Sequence, residues 1–271
     1  MCEQIINSIK NKNLGVIGKP SDWLISSIPL YKDIKDKFGI NLIDIDLNEF
    51  YLNYKEFNLF NFDYDKKELD KASGVDYSIS KLIDKYHLDG FTIRCFDLLN
   101  VIKTTGCLSL ALKNKEGIIG CCEGDIMAMI SMLLVKELTN KSCFQANPSK
   151  IDVNKKEIIF SHCTVPLDMI SDIKIMTHFE SNIGCAIRGK LKKENVTIFR
   201  ISSDLKRYFC IEGKIVSNLE DPNMCRTQIK IKTKEDISIL LKNPCGNHHI
   251  IFYGNYKKNI ESLMKLYGIN N

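Results

Sequence analysis

Apolar positions in the first half of the chain fall into short continuous runs, at residues 14–18, 41–46, 90–94 and 117–122. Runs of this length bounded by Gly, Pro or Asp predict buried β-strands. Between them the period changes. Residues 66–87 carry Leu69, Ala72, Ile79, Leu82, Ile83 and Tyr86 at helical spacing, and helices are also expected at 23–27, 98–102 and 106–115 and from Ile126 through Leu134. Residues 1–10 read as a helical lead-in. Strand, Gly-containing turn and helix in repetition predict an α/β fold: a mainly parallel open sheet with helices on both faces.

The texture shifts at Asn147-Pro148. Beyond it, apolar positions alternate with polar ones over residues 157–163, 184–191, 196–202, 208–216, 225–231 and 248–253, with helices expected only at 234–241 and 257–267. Alternation with frequent turns predicts an antiparallel, barrel-like β domain. The division drawn is residues 1–147 for the α/β domain and 148–271 for the β-rich domain.

Composition adjusts this picture modestly. Apolar residues make up 44% and charged residues 26% of 271, enough for a sizeable core. The net charge of +5 comes from scattered lysines with no basic run among aromatics, which argues against a nucleic-acid partner. Only Arg94, Arg188, Arg200, Arg207 and Arg226 are arginines, so each is expected where planar, bidentate geometry matters. Eleven cysteines, an odd number without a CxxC pair, and no amino-terminal apolar signal segment predict free thiols in the cytoplasm. No apolar run reaches the ~20 residues that cross a bilayer.

Candidate chemistry concentrates in a few places. In Gly120-Cys121-Cys122-Glu123-Gly124-Asp125, Asp125 can cap the following helix, which leaves Glu123 at the carboxyl end of a strand, the edge where α/β sheets bind ligands. Asp97 stands just past the preceding strand, either as a ligand or as a helix cap. Four of five histidines lie in the β half: His162, His178, His248 and His249. Neighbours on a strand point to opposite faces, so at most one of His248 and His249 joins a given site. Asp97, Glu123 and one of these histidines would suit a hard divalent cation, Mn²⁺ or Mg²⁺ rather than zinc.

Taken together, Gly15-Val16-Ile17-Gly18-Lys19-Pro20-Ser21-Asp22-Trp23, Gly90 to Asp97, Cys121-Cys122-Glu123-Gly124-Asp125, His162-Cys163-Thr164-Val165-Pro166, His178-Phe179-Glu180-Ser181, Cys225-Arg226-Thr227-Gln228 and Gly246-Asn247-His248-His249 resemble the L-fucose/L-arabinose isomerase superfamily. The resemblance implies aldose–ketose isomerisation through an enediol on Mn²⁺ or another divalent cation such as Mg²⁺ or Co²⁺. It implies Glu123 and Asp97 as metal ligands and acid–base pair, and His249, with His248 close behind, as the third ligand. His178, Glu180, Arg226 and His248 would then approach sugar hydroxyls, with His162 and Asp125 in support. The further ligand His of arabinose-type enzymes is missing, since residues 144–148 read Phe-Gln-Ala-Asn-Pro. The resemblance also implies a homo-oligomer, trimer or hexamer. Two readings stay open: the catalytic half of an isomerase completed by a separate amino-terminal chain, and a non-catalytic carbohydrate- or metabolite-binding remnant.

Overall fold

In the computed structural model, which describes residues 2–270, the chain runs α1 (Cys2–Ile9), β1 (Asn13–Ile17), α2 (Tyr31–Phe38), β2 (Asn41–Ile45), α3 (Leu47–Asn53), α4 (Lys66–Tyr86), β3 (Gly90–Ile93), α5 (Cys95–Val101), α6 (Cys107–Glu116), β4 (Ile119–Cys122) and α7 (Ile126–Thr139). The four strands form a parallel sheet in the order β2-β1-β3-β4, with all carboxyl ends on one edge. Alternation sorts the two faces. Leu14, Val16 and Cys121 pack with α1, α2 and α7, whereas Ile17, Ile93 and Cys122 pack with α3, α4, α5 and α6. Both faces are covered, as continuous apolar strands require.

The second half continues with β5 (Phe144–Asp152), β6 (Glu157–His162), a 3-10 turn at Leu167–Met169, β7 (Ile170–Met176), β8 (Ala186–Leu191), β9 (Asn195–Ile201), β10 (Tyr208–Asn218), β11 (Thr227–Thr233), α8 (Ile239–Lys242), β12 (His249–Tyr253) and α9 (Lys257–Leu266). Six of these strands close into a barrel, β10-β11-β6-β5-β12-β9, with antiparallel neighbours; β7 and β8 form a separate two-stranded ribbon. Closure leaves the barrel no free edge. The division drawn at 147/148 falls within β5.

Helix α7 joins the two halves. Every residue from Ile126 to Val135 is buried, because one side meets β3 and β4 and the other meets β9 and β12. A helix that is apolar all round needs such a position. Its amino terminus therefore opens on the seam between sheet and barrel.

The structure differs from the sequence expectations in several elements, among them the helices α2 and α3, which were not expected. Residues 23–27 form turns, not a helix: Ser26 takes a left-handed φ of 50°, and its carbonyl accepts from Arg200 (2.9 Å). Strand β5 was hidden by Pro148, which sits at a register shift between Pro148 and Lys150, where a missing N–H is tolerated. Strand β7 was hidden because the ribbon leaves most of it exposed. The helix expected at 234–241 shrinks to α8, since Asp236 accepts from the Ser238 N–H and turns the chain first. Among the described residues no helix is long and apolar enough to cross a membrane.

Candidate functional site

Strand β4 ends the sheet, so its outer backbone groups need partners. Two carboxamides supply them. Asn114 accepts from Gly120 N–H (3.1 Å) and donates to Gly120 O (2.7 Å), while Gln145, from β5, accepts from Cys122 N–H (2.8 Å) and donates to Cys122 O (3.2 Å). The second pair stitches the strand end to the barrel. Next, Glu123 and Gly124 both take φ of 63°. For a glutamate this backbone is disfavoured by roughly 1 kcal/mol or more and persists only where the surroundings fix it. Gly124 has a second reason to lack a side chain, since a Cβ there would lie 3.0 Å from Lys19 O and Ser21 N.

Asp125 then caps α7, accepting from Ala128 N–H at 2.9 Å. Capping is only part of its role. The fully buried Arg200 grips both carboxylate oxygens, at 2.9 and 3.1 Å, and His248 donates from Nδ1 to Oδ2 at 2.9 Å. Burial would raise the Asp125 carboxyl; the Arg200 charge and His248 instead hold it below its usual value. Gly246 is required beside this pair, because a Cβ there would meet Arg200 Nε at 2.5 Å.

The bond to Asp125 aims the other nitrogen of His248 at Glu123: Nε2 lies 3.4 Å from Oε1. His162, the last residue of β6, does the same from the barrel mouth, with Nδ1 held by Thr164 Oγ1 at 2.9 Å and Nε2 also 3.4 Å from Glu123 Oε1. The two rings stand edge to face, 5.2 Å apart. Both Nε2 atoms are buried without a hydrogen-bond partner. Burial would raise Glu123, yet the His248 charge and the adjoining imidazoles hold its carboxyl well below the carboxylate range. Burial would lower His248, but Glu123 and Asp125 raise it to about 9, whereas burial keeps His162 below its ordinary value.

These donors fit a divalent cation. Ligand atoms each about 2.1 Å from a tetrahedral ion are about 3.4 Å apart, which is the distance of each histidine nitrogen from Glu123 Oε1 and is too long for a good hydrogen bond. The group whose ligand atoms all lie within 4.8 Å of one another is Cys122 Sγ, a Glu123 oxygen and a His162 nitrogen; His248 adjoins it through Glu123. Two imidazoles with one carboxylate favour a transition cation over Mg²⁺.

In front of Glu123 and His162 opens a cavity of about 580 Å³. Trp23, Phe96 and Leu99 contribute apolar wall, and Asn147, Asn247, His178 and Glu180 contribute polar groups. His178 bonds Ser181 Oγ through Nδ1 at 3.2 Å and presents an edge contact to Phe96. Of the residues expected at the site, Glu123, His162, His248 and Asp125 thus come together, with His178 and Glu180 on the cavity wall.

Three others lie elsewhere. Asp97 sits in the first turn of α5, paired with Arg94 Nε at 3.3 Å, beside an opening shared with Gly18, Asp22 and Asp46 and apart from Glu123's cavity. The cause is local: α5 starts directly at Cys95, so the helix turns Phe96 inward and Asp97 toward Arg94. Arg226 spends its guanidinium on Thr177, donating to the carbonyl at 2.8 Å. His249 lies inside the barrel, its ring against Phe209 and Phe160. Strand parity decides this, since Ile251 faces the barrel core while Ile250 and Phe252 face the α7 side with His248. Burial, with the Arg200 charge, pushes His249 down to about 3.

Sequence reasoning gave Gln145 no role and singled out Arg200 only as one of five arginines expected at bidentate contacts, without Asp125 as its partner. The signal for Arg200 was available: an arginine in a lysine-rich chain, at the end of the apolar run Val196-Thr197-Ile198-Phe199.

The chain is similar to sugar isomerases. It is 21% identical over 288 aligned positions to the sulfoquinovose isomerases of Priestia aryabhattai and Priestia megaterium, covering 97% of this chain and 64% of each relative. It is 18% identical to the sulfoquinovose isomerase of Alkalicoccus urumqiensis, covering 97% of this chain and 65% of that protein. The chain thus spans just under two thirds of the length of these relatives. No protein-family model matches it.

Proposed function

We propose that the chain carries the cation-binding and proton-transfer centre of a sugar aldose–ketose isomerase, akin to the L-fucose and L-arabinose isomerases. The observation that carries the reading is the convergence of His162 Nε2 and His248 Nε2 on Glu123 Oε1, with both imidazoles fixed from behind, at the floor of a sugar-sized cavity. The relatives' activity supports the same class.

Glu123, His162 and His248 would hold Mn²⁺ or another divalent transition cation. When bound, the cation would polarise neighbouring sugar oxygens and stabilise developing enediolate charge. Asp125 and Arg200 keep His248 in the tautomer that presents Nε2 to the site, as outer carboxylates do for ligand histidines. Glu123 is the carboxylate available beside the cavity floor to move a proton between C1 and C2, and Glu180 and His178 are positioned on the wall to contact hydroxyls. Trp23 and Phe96, edge to face at 6.1 Å, offer apolar surface to a sugar ring.

The test is ketose formation from a panel of aldoses that includes sulfoquinovose, in deuterated water with Mn²⁺ present, followed by NMR. Solvent deuterium entering the carbon skeleton, and loss of turnover by at least ~10²-fold in Glu123→Gln, support the reading. Turnover unchanged in Glu123→Gln would overturn it. The position of Asp97 outside the cavity, which leaves Glu123 without the expected carboxylate partner, favours a second reading: a sugar-binding module that does not turn over. Sugar binding by calorimetry without deuterium exchange distinguishes it.

A further inference from the structure

Five of the eleven cysteines line the one cavity in front of Glu123: Cys95, Cys107, Cys122, Cys163 and Cys225. Cysteine is about one residue in twenty-five of the chain, so this wall is enriched in thiols several-fold. One of the five differs from the rest. Cys122 immediately precedes Glu123, and its Sγ lies within 4.8 Å of both a Glu123 oxygen and a His162 nitrogen.

We propose that Cys122 is a fourth ligand of the cation site, so that the centre is a sulfur-, nitrogen- and oxygen-donor site for a thiophilic transition cation such as Zn²⁺, Fe²⁺ or Co²⁺ instead of an oxygen-dominated Mn²⁺ or Mg²⁺ site. The inference rests on the cation site proposed above and concerns its chemistry. Three features argue for it. The Cys122 backbone is fixed on both its N–H and C=O by Gln145, so the strand end that carries the thiol is held against the barrel histidines. Cys95 Sγ stands 3.0 Å from Cys122 Sγ and is placed to donate to it once it is a thiolate. Finally, His162 Nε2 is buried without a hydrogen-bond partner beside this sulfur, which leaves its lone pair for an ion. Coordination replaces the thiol proton: the S–H bond breaks, a sulfur–metal bond forms, and the proton leaves to solvent. No electron transfer is involved. Sulfur donors select zinc, iron and cobalt over magnesium and manganese.

Cobalt reports this directly. The chain, kept reduced with a phosphine and freed of metal, is titrated with Co²⁺ while its spectrum is followed; sulfur-to-cobalt charge transfer appears in the near ultraviolet, and d–d bands appear in the visible whatever the ligands. The expected result is both features in the wild type and in Cys225→Ser, with charge transfer lost and d–d bands retained in Cys122→Ser. Competition should show the Zn²⁺ over Mn²⁺ preference falling at least about tenfold in Cys122→Ser. Near-ultraviolet circular dichroism checks that this variant is folded, and Cys122→Ala repeats the test with a different side chain. Visible bands without charge transfer in the wild type, or charge transfer that survives in both Cys122 variants, overturns the inference and leaves the cation site standing. Absence of both features in the wild type overturns the inference together with the site.

Discussion

His248 and His249 are neighbours in the chain, and both are fully buried, yet their environments are opposite. His248 lies between two carboxylates and is raised to about 9; His249 lies among phenylalanines in the barrel core and is lowered to about 3. Burial disfavours the charged ring in both. What differs is whether a negative charge waits on the face to which strand parity sends the ring. A histidine becomes a ligand candidate through what orients it, and Asp125, locked by Arg200, orients only one of the pair.

The comparison can be broken most forcefully at its anchor. Arg200→Met removes the bidentate partner of the buried Asp125, leaving it only His248, and should cost roughly 3–5 kcal/mol, read as a lowered urea midpoint. A loss under ~1 kcal/mol would mean that the pair does not organise the seam. Next in size, His248→Ala should weaken divalent-cation binding by at least ~10–100-fold, while His249→Phe should leave it unchanged; calorimetric titration of the two variants separates them. Gly124→Ala should destabilise by about 1–2 kcal/mol, since the left-handed backbone and the close Lys19–Ser21 loop both resist a Cβ. The last effect is spread over pH instead of being concentrated in one variant. His249 is neutral when folded down to about 3 but takes a proton near 6.5 when unfolded, so the unfolded chain binds more protons between these values. Stability should therefore fall as pH drops from about 6.5 toward 3. His249→Phe should remove that part of the acid slope, which thermal melts across pH will show.

Much of the architecture was legible because it depends on local period. The apolar runs at β1, β3 and β4 and the apolar stretch of α7 specify a covered parallel sheet, and alternation after Asn147 specifies antiparallel strands. The site was legible only in part. Glu123, Gly124 and Asp125 announce a strand end, a tight turn and a cap, and each adopts that geometry. Which tandem histidine faces Glu123 depends on barrel register, set by contacts far away in sequence such as His249 opposite Ala146. Asp97 misled for a related reason: the strand-end rule places a residue at the correct edge of the sheet, but the direction of its side chain follows from where α5 begins. Arg200 could be flagged by composition, yet its partner lies 75 residues away.

The most direct measurement is a divalent-cation titration by calorimetry of the wild type, Glu123→Gln and Asp97→Asn in parallel. The structure's arrangement of Glu123, His162 and His248 predicts one site per chain in the wild type, unaltered affinity in Asp97→Asn and no saturable binding in Glu123→Gln. Binding that survives in Glu123→Gln, or that disappears in Asp97→Asn, would contradict it.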